Sequence, residues 1–165
     1  MNDKNESGFT LIELCGGMAL VVLAGLIAIP QLSALSARWT LQGAAQSVTT
    51  LLNAARIQAM KRQTTVTVCA SIERSQCGFF DNTSRYLLIV SDRDQSLVRS
   101  TQIPEGYTLQ GVASRPYVRF QSSGWSSGTN MTLRLCDPQN IWRKDIVISN
   151  AGRIRSQNHS EPQQC

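Results

Sequence analysis

The sequence predicts an α+β protein in which one long N-terminal helix packs on a C-terminal antiparallel β domain. Residues 9–30 are almost uniformly apolar. Between residues 41 and 59 the apolar side chains recur at three- and four-residue steps, which is the pattern of an amphipathic helix. Beyond Arg62 the period falls to two, which is typical of strands. The helix is therefore expected to have an apolar membrane half and an amphipathic second half.

The apolar half of the predicted helix, residues 9–30, is long enough to span a membrane. As a helix these residues rise about 33 Å, close to the thickness of bilayer hydrocarbon. Glu13 and Cys15 are its only ionisable side chains. Pro30 closes this half and removes one backbone hydrogen bond, so we expect a kink there before the amphipathic half, residues 31–63.

A polar leader, residues 1–8, precedes the apolar run and ends at a small residue, Gly8. Secretory signal peptides are cut after their apolar core and lose it. Cleavage at Gly8 would instead leave the helix on the mature protein, with Phe9 as its N-terminus.

Glu13 places a carboxylate in the apolar run, which costs about 2–3 kcal/mol or more unless the charge is neutralised. In one interpretation the carboxylate reaches the lipid headgroups from the end of a plain anchor. In the other it meets a positive partner, most simply the free α-amino group at Phe9 of a neighbouring helix. That pairing would fix the stagger of packed helices.

The β domain, residues 64–165, is predicted from short apolar or alternating stretches. Turn-forming Gly, Pro, Asn, Asp and Ser residues separate these stretches. The predicted strands are residues 65–70, 85–90, 96–103, 107–110, 117–121, 131–136, 145–149 and 153–156.

The charge balance of the chain is basic. Past Pro30, Lys and Arg exceed Asp and Glu by seven, and arginine far outnumbers lysine over the whole chain. This preference favours planar, bidentate partners such as phosphates. The alternative is a soluble, mildly basic surface with no particular ligand.

Four of the five cysteines are predicted to form two disulfides. Cys69, Cys77, Cys136 and Cys165 show no zinc-site spacing, and an export signal implies an oxidising compartment. Three pairings are possible. We favour Cys69–Cys77, which closes a short loop, and Cys136–Cys165, which pins the C-terminal tail. Cys15 is expected to be an unpaired apolar filler.

The segment Gly152-Arg-Ile-Arg155 carries the candidate binding chemistry. In a strand, Arg153 and Arg155 would share a face about 6.6 Å apart, while the isoleucine between them faces the core. Such a pair could contact successive phosphates of a nucleic acid, with Arg143 and Lys144 nearby on the preceding connection. The alternative is a plain last strand with solvated arginines.

Two tryptophans, Trp125 and Trp142, could stack a base, although a packing role is the simpler interpretation of each.

The sequence predicts no enzyme. Residues 124–128 match the Gly-x-Ser-x-Gly nucleophile pattern, but they lie in a turn-rich stretch and not at a strand-to-helix elbow. The sole histidine, His159, lies in a polar tail, which makes a catalytic triad improbable. No catalytic residue, cofactor or metal site is predicted.

The N-terminal segment Gly8-Phe-Thr-Leu-Ile-Glu-Leu14 resembles the processing site of type IV pilins and of type II secretion pseudopilins. The resemblance implies cleavage after Gly8 by the prepilin peptidase and methylation of Phe9. It also makes Glu13 the assembly glutamate and Pro30 the proline that loosens the helix.

A second resemblance covers residues 51–62, 66–70 and 152–155, which are similar to minor pilins and pseudopilins of the GspH/FimT/FimU group. It implies a pilin-like fold and a minor pilin that helps initiate assembly near the pilus tip. The implied partners are other major and minor pilins, met through the N-terminal helix, and the inner-membrane assembly platform. The chain would sit in the inner membrane as a single-pass protein with a periplasmic domain, and later in the extracellular pilus.

In FimT-like pilins a C-terminal Gly-Arg-x-Arg element is associated with DNA binding in natural transformation. The resemblance therefore implies that DNA binds at Gly152, Arg153 and Arg155. Two alternatives stay open, namely a purely structural minor pilin like FimU and a GspH-type pseudopilin of type II secretion.

Overall fold

A computed structural model describes residues 10–112, 115–126 and 128–158 of the chain, apart from the side chains of residues 30 and 158. It confirms the predicted α+β class, with one long N-terminal helix and two antiparallel sheets. Gly8, Phe9, His159 and Cys165 lie outside the described residues.

The chain divides into two compact units, residues 1–37 and residues 38–165. Helix α1, Leu11–Arg62, runs through both. By length and composition it can cross a membrane. Its large apolar side chains between residues 11 and 29 are all exposed in the isolated chain. They therefore need lipid or other protein to cover them.

The second unit contains eight strands arranged in two four-stranded sheets. The strands are β1 Val66–Ser71, β2 Tyr86–Ser91, β3 Leu97–Gln102, β4 Thr108–Gly111, β5 Tyr117–Phe120, β6 Met131–Cys136, β7 Arg143–Ile148 and β8 Ile154–Asn158. Sheet A has the order β3-β2-β1-β5, and sheet B has the order β4-β6-β7-β8. Every neighbouring pair is antiparallel.

The core of this unit forms where the apolar face of α1 meets the inner faces of the sheets. The helical positions picked out by the three- and four-residue spacing are all buried: Leu41, Ala44, Ala45, Val48, Leu51, Leu52, Ala55 and Ala59. The small alanines at these positions let the sheets approach the helix closely. Both sheets add alternate residues to the same cluster, such as Val68 and Ile89 from sheet A and Leu133 and Ile146 from sheet B.

Candidate nucleic-acid interface

The arginine pair of the Gly-Arg-x-Arg segment lies at the start of the edge strand β8. Arg153 and Arg155 are exposed, whereas Ile154 between them is half-buried against the core. Arg155 lies opposite Val147 in the ladder with β7. The backbone at Arg153 is fixed from both sides, because its N–H donates to Ser149 Oγ (3.2 Å) and its carbonyl accepts from the Ser149 N–H (3.0 Å). The two guanidinium groups are thus presented from an ordered backbone.

Gly152 ends the turn at residues 149–152, which precedes the arginine pair. It holds this turn in close contact with a second turn at residues 121–124. Its N–H donates to the Ser149 carbonyl (2.8 Å), its φ is +73°, and it is buried. A Cβ atom at this position would collide with the carbonyl oxygen of Gly124. Gly124 itself has a φ of +80° and faces Met60 of α1, whose sulfur would lie 2.8 Å from an added Cβ. The two turns therefore stack glycine on glycine above the helix.

Arg56 of α1 is a second cation at this contact, beside Arg153. Its Nε donates to the Gly124 carbonyl (3.0 Å), and it would lie 3.2 Å from a Cβ on Gly152. No local pattern in the sequence places Arg56 in the site, because this contact joins residues 68 positions apart. In the part of the chain that the structure describes, no carboxylate forms a salt bridge with Arg56, Arg153 or Arg155.

Arg143 was expected on the connection that precedes the arginine pair. It lies instead within strand β7. Its Nη2 is 3.8 Å from Asp145 Oδ2, and Arg134 Nε lies 3.2 Å from Asp145 Oδ1. The Asp145 side chain is only 9% exposed. One buried carboxylate therefore offsets two arginines, which weakens the case for Arg143 as a phosphate contact.

Lys144 also lies within β7, so its side chain points to the opposite side of sheet B from Arg143 and Arg155. Its ammonium donates to Gln42 Oε1 of α1. Partial burial and the nearby positive charge of Arg38 hold the pKa of Lys144 below its ordinary value. Lys144 is thus a helix contact, and the structure does not bring it together with the arginine pair.

We expect Lys144→Met to stabilise the fold slightly, by well under about 1 kcal/mol because the ammonium is still largely solvated. The lowered pKa means that the unfolded chain holds this proton more tightly than the folded one. Wild-type stability should therefore rise as the pH rises from the lowered pKa toward the ordinary lysine value. Thermal unfolding at several alkaline pH values, with the variant beside the wild type, measures this. A variant that is less stable than the wild type at neutral pH would contradict the assignment.

Ser126, the central residue of the Gly-x-Ser-x-Gly match, serves the same pair of turns. It is fully buried, its hydroxyl donates to the Ser149 carbonyl (2.7 Å), and its N–H donates to the Asn150 carbonyl (2.9 Å). A serine used in this way ties two loops together. Among the described residues there is also no cluster of three His, Cys, Asp or Glu side chains that could hold a metal.

The described cysteines agree with the predicted disulfide bonding. Cys69 is bonded to Cys77, and their Cα atoms are 5.4 Å apart. Cys136 is disulfide-bonded as well. Cys165, the partner favoured from the sequence, lies outside the described residues. Cys15 is a free, exposed thiol.

At the start of α1, Glu13 has a partner in its own helix, Thr10, which was not predicted from the sequence. Its Oε2 accepts from the Thr10 N–H (3.0 Å) and hydroxyl (2.9 Å), while the Glu13 N–H donates to Thr10 Oγ1 (3.3 Å). This reciprocal arrangement is a capping box, whose Thr-x-x-Glu signature was visible in the sequence. The pairing of Glu13 with a neighbouring subunit stays a prediction.

Comparison with protein families gives a match over residues 44–152 to the family described as "Type II transport protein GspH". The match covers more than half of the chain. The chain belongs to the GspH family. This membership confirms the expectation of a structural subunit and not an enzyme. Comparison of this GspH-family chain with curated proteins yields no match.

Solved structures share the fold of this GspH-family chain. The type IV minor pilin FimU of Pseudomonas aeruginosa is 21% identical, covers 78% of this chain and 96% of its own, and superposes with a TM-score of 0.60. The minor pseudopilin EpsH from the type II secretion system of Vibrio cholerae is 17% identical, covers 73% of this chain and 98% of its own, and has a TM-score of 0.55. At these identities the likeness shows the fold alone.

Proposed function

We propose that this GspH-family chain is a minor pilin of a type IV pilus. In this proposal it sits near the tip, helps initiate assembly, and binds DNA through its Gly-Arg-x-Arg element during uptake in natural transformation. The observation that carries the DNA part is the group of three arginines, Arg56, Arg153 and Arg155. They have no acidic partner among the described residues. Arg56 and Arg153 lie at one pair of stacked turns, and Arg155 follows two residues later in the edge strand β8.

Family membership supports the assembly part of the proposal. A GspH-family subunit interacts with other pilins in a pilus or pseudopilus, and the exposed apolar side chains of α1 suit membrane anchoring before that assembly. We further propose that prepilin peptidase cuts after Gly8, that Phe9 is methylated, and that Glu13 then pairs with a neighbouring helix. The Thr10 capping box would satisfy Glu13 until that partner arrives. The β domain would face the periplasm first and the exterior later.

Phosphate recognition is the chemistry that the arginine group supports best. Guanidinium groups bind phosphate oxygens in bidentate fashion, and such contacts carry no sequence information by themselves. Each neutralised phosphate also releases counterions, so the affinity should fall steeply with salt. The proposed ligand is therefore DNA of any sequence.

Replacing both Arg153 and Arg155 by alanine should weaken DNA binding by about 30-fold, or about 2 kcal/mol, because two charge-assisted contacts are lost. The logarithmic salt slope should also become shallower by about 1.5. Fluorescence anisotropy on the full chain in neutral detergent micelles, titrated with salt, measures both quantities. In a competent host the same variant should form pili normally and lose transformation.

Arg93→Ala combined with Arg99→Ala is the matched control. Both residues are exposed on the sheet A side of the unit, and their loss changes the net charge by the same amount. This control should lose much less affinity than the Arg153/Arg155 double variant. Lys144→Met should bind DNA within about twofold of the wild type, because its side chain points away. Equal losses in the two double variants would reject the site.

A pseudopilin of type II secretion is the second candidate, favoured by the family description. It shares the fold and the assembly helix, so the two candidates differ in phenotype. Deletion of a pseudopilin blocks protein secretion, whereas deletion of a competence pilin blocks DNA uptake.

A further inference from the structure

Trp125 is an exposed indole on a backbone that is fixed on both sides. The residue is 53% exposed. The Trp125 carbonyl accepts from the Gln121 N–H (2.8 Å), and the next residue, Ser126, makes the two hydrogen bonds to the neighbouring turn described above. A large apolar ring held this way costs little entropy to place against a ligand, because its backbone is already ordered.

Neither of the other two tryptophans presents a free ring beside the stacked turns. Trp142 is half-buried against the core, and the Arg38 guanidinium lies 4.1 Å from its ring centroid. One face of that ring is therefore already occupied. Trp39 is 70% exposed, but it lies on α1 seventeen residues before Arg56.

The position of Trp125 links it to the arginine group. Trp125 directly follows Gly124, and Arg153 directly follows Gly152. The two glycines are in contact with each other. Consecutive Cα atoms are about 3.8 Å apart, so both side chains start within a few ångströms of one contact. Arg56 donates to the Gly124 carbonyl at the same place. One aromatic side chain and two cations, which have no acidic partner among the described residues, thus start from one contact.

We propose that Trp125 stacks an unpaired base, and that this site takes single-stranded DNA in preference to duplex. Arg153 and Arg56 hold the phosphates that flank the stacked base. Base-on-aromatic stacking tolerates every sequence, because each base has a π-face. A duplex keeps those faces stacked inside the helix and offers only its phosphates. This inference rests on the proposed function, since it assigns the form of DNA that the same site prefers.

The test compares Trp125→Leu with Trp125→Phe on the full chain in neutral detergent micelles. Leucine keeps the apolar bulk but removes the flat face, whereas phenylalanine keeps a flat ring. The probes are an oligo-dT single strand and a blunt duplex of equal length. We expect Trp125→Leu to lose about tenfold in single-strand affinity and less than about twofold in duplex affinity. The affinity of Trp125→Phe for the single strand should stay near that of the wild type. Trp39→Leu should have the affinity of the wild type for both probes.

The outcomes separate this inference from the proposed function. If the wild type binds both probes and Trp125→Leu binds the single strand equally well, the stacking role is rejected and DNA binding stands. An equal loss on both probes likewise rejects the single-strand preference. If the wild type binds neither probe, the DNA-binding function itself is wrong.

Discussion

Gly152→Ala should lower the free energy of unfolding of the second unit by about 3 kcal/mol or more. A left-handed backbone costs a residue with a Cβ about 1–2 kcal/mol, and here the added methyl also collides with the carbonyl oxygen of Gly124. The clash is with backbone, so no side chain can rotate to relieve it and the two turns must separate. Thermal unfolding of the full chain in micelles measures the loss.

The same variant should also lose DNA affinity by more than about tenfold, because Arg153 and the Gly124 carbonyl that receives Arg56 both move. Gly128→Ala is the matched control. Its φ of +74° is nearly the same as that of Gly152, yet a Cβ there would have open space, with only Arg115 at 4.0 Å. Gly128→Ala should therefore pay only the cost of the left-handed backbone, which lowers the free energy of unfolding by about 1 kcal/mol. It should bind DNA normally. Equal destabilisation by the two variants would contradict the stacked-glycine account.

Asp145→Asn should change stability and DNA affinity in opposite directions. Its side chain is 9% exposed and faces two guanidinium groups, Arg134 and Arg143, which are 24% and 19% exposed. Removing the carboxylate charge leaves two largely buried cations without their counter-charge, which we expect to cost about 2–3 kcal/mol. Affinity for DNA should rise about threefold, since Arg155 lies on the same side of sheet B.

Glu105→Gln is the control for net charge in that experiment. Glu105 is exposed in the turn before β4, and its replacement makes the same change in charge. It should leave stability almost unchanged and raise DNA affinity less than Asp145→Asn does. If Asp145→Asn left stability unchanged, the buried carboxylate would not be balancing the two arginines.

The fold could be predicted largely from periodicity. The buried face of α1 follows directly from apolar residues at three- and four-residue steps, because side chains at that spacing lie on one side of a helix. All eight strands occur close to their predicted positions. The division into two sheets was not predicted, since alternation identifies a strand but not its neighbours.

The site was predicted only in part, because its decisive contacts join distant residues. Placing the start of β7 at residue 145 left Arg143 and Lys144 on a loop, where strand alternation does not apply. With the strand start at residue 143, the same alternation puts Arg143 and Lys144 on opposite faces of the sheet. No local signal marks the stacking of Gly124 on Gly152 or the bond from Arg56, which depend on how the loops pack.

Cross-linking from the DNA backbone can show whether DNA lies against the stacked turns and their arginines. DNA carrying azidophenacyl groups on phosphorothioates would be bound to the full chain, irradiated, and the attachment sites read by mass spectrometry. We expect adducts within residues 121–126 and 149–155 and at Arg56. Adducts confined to sheet A or to residues 38–48 of the helix would contradict it.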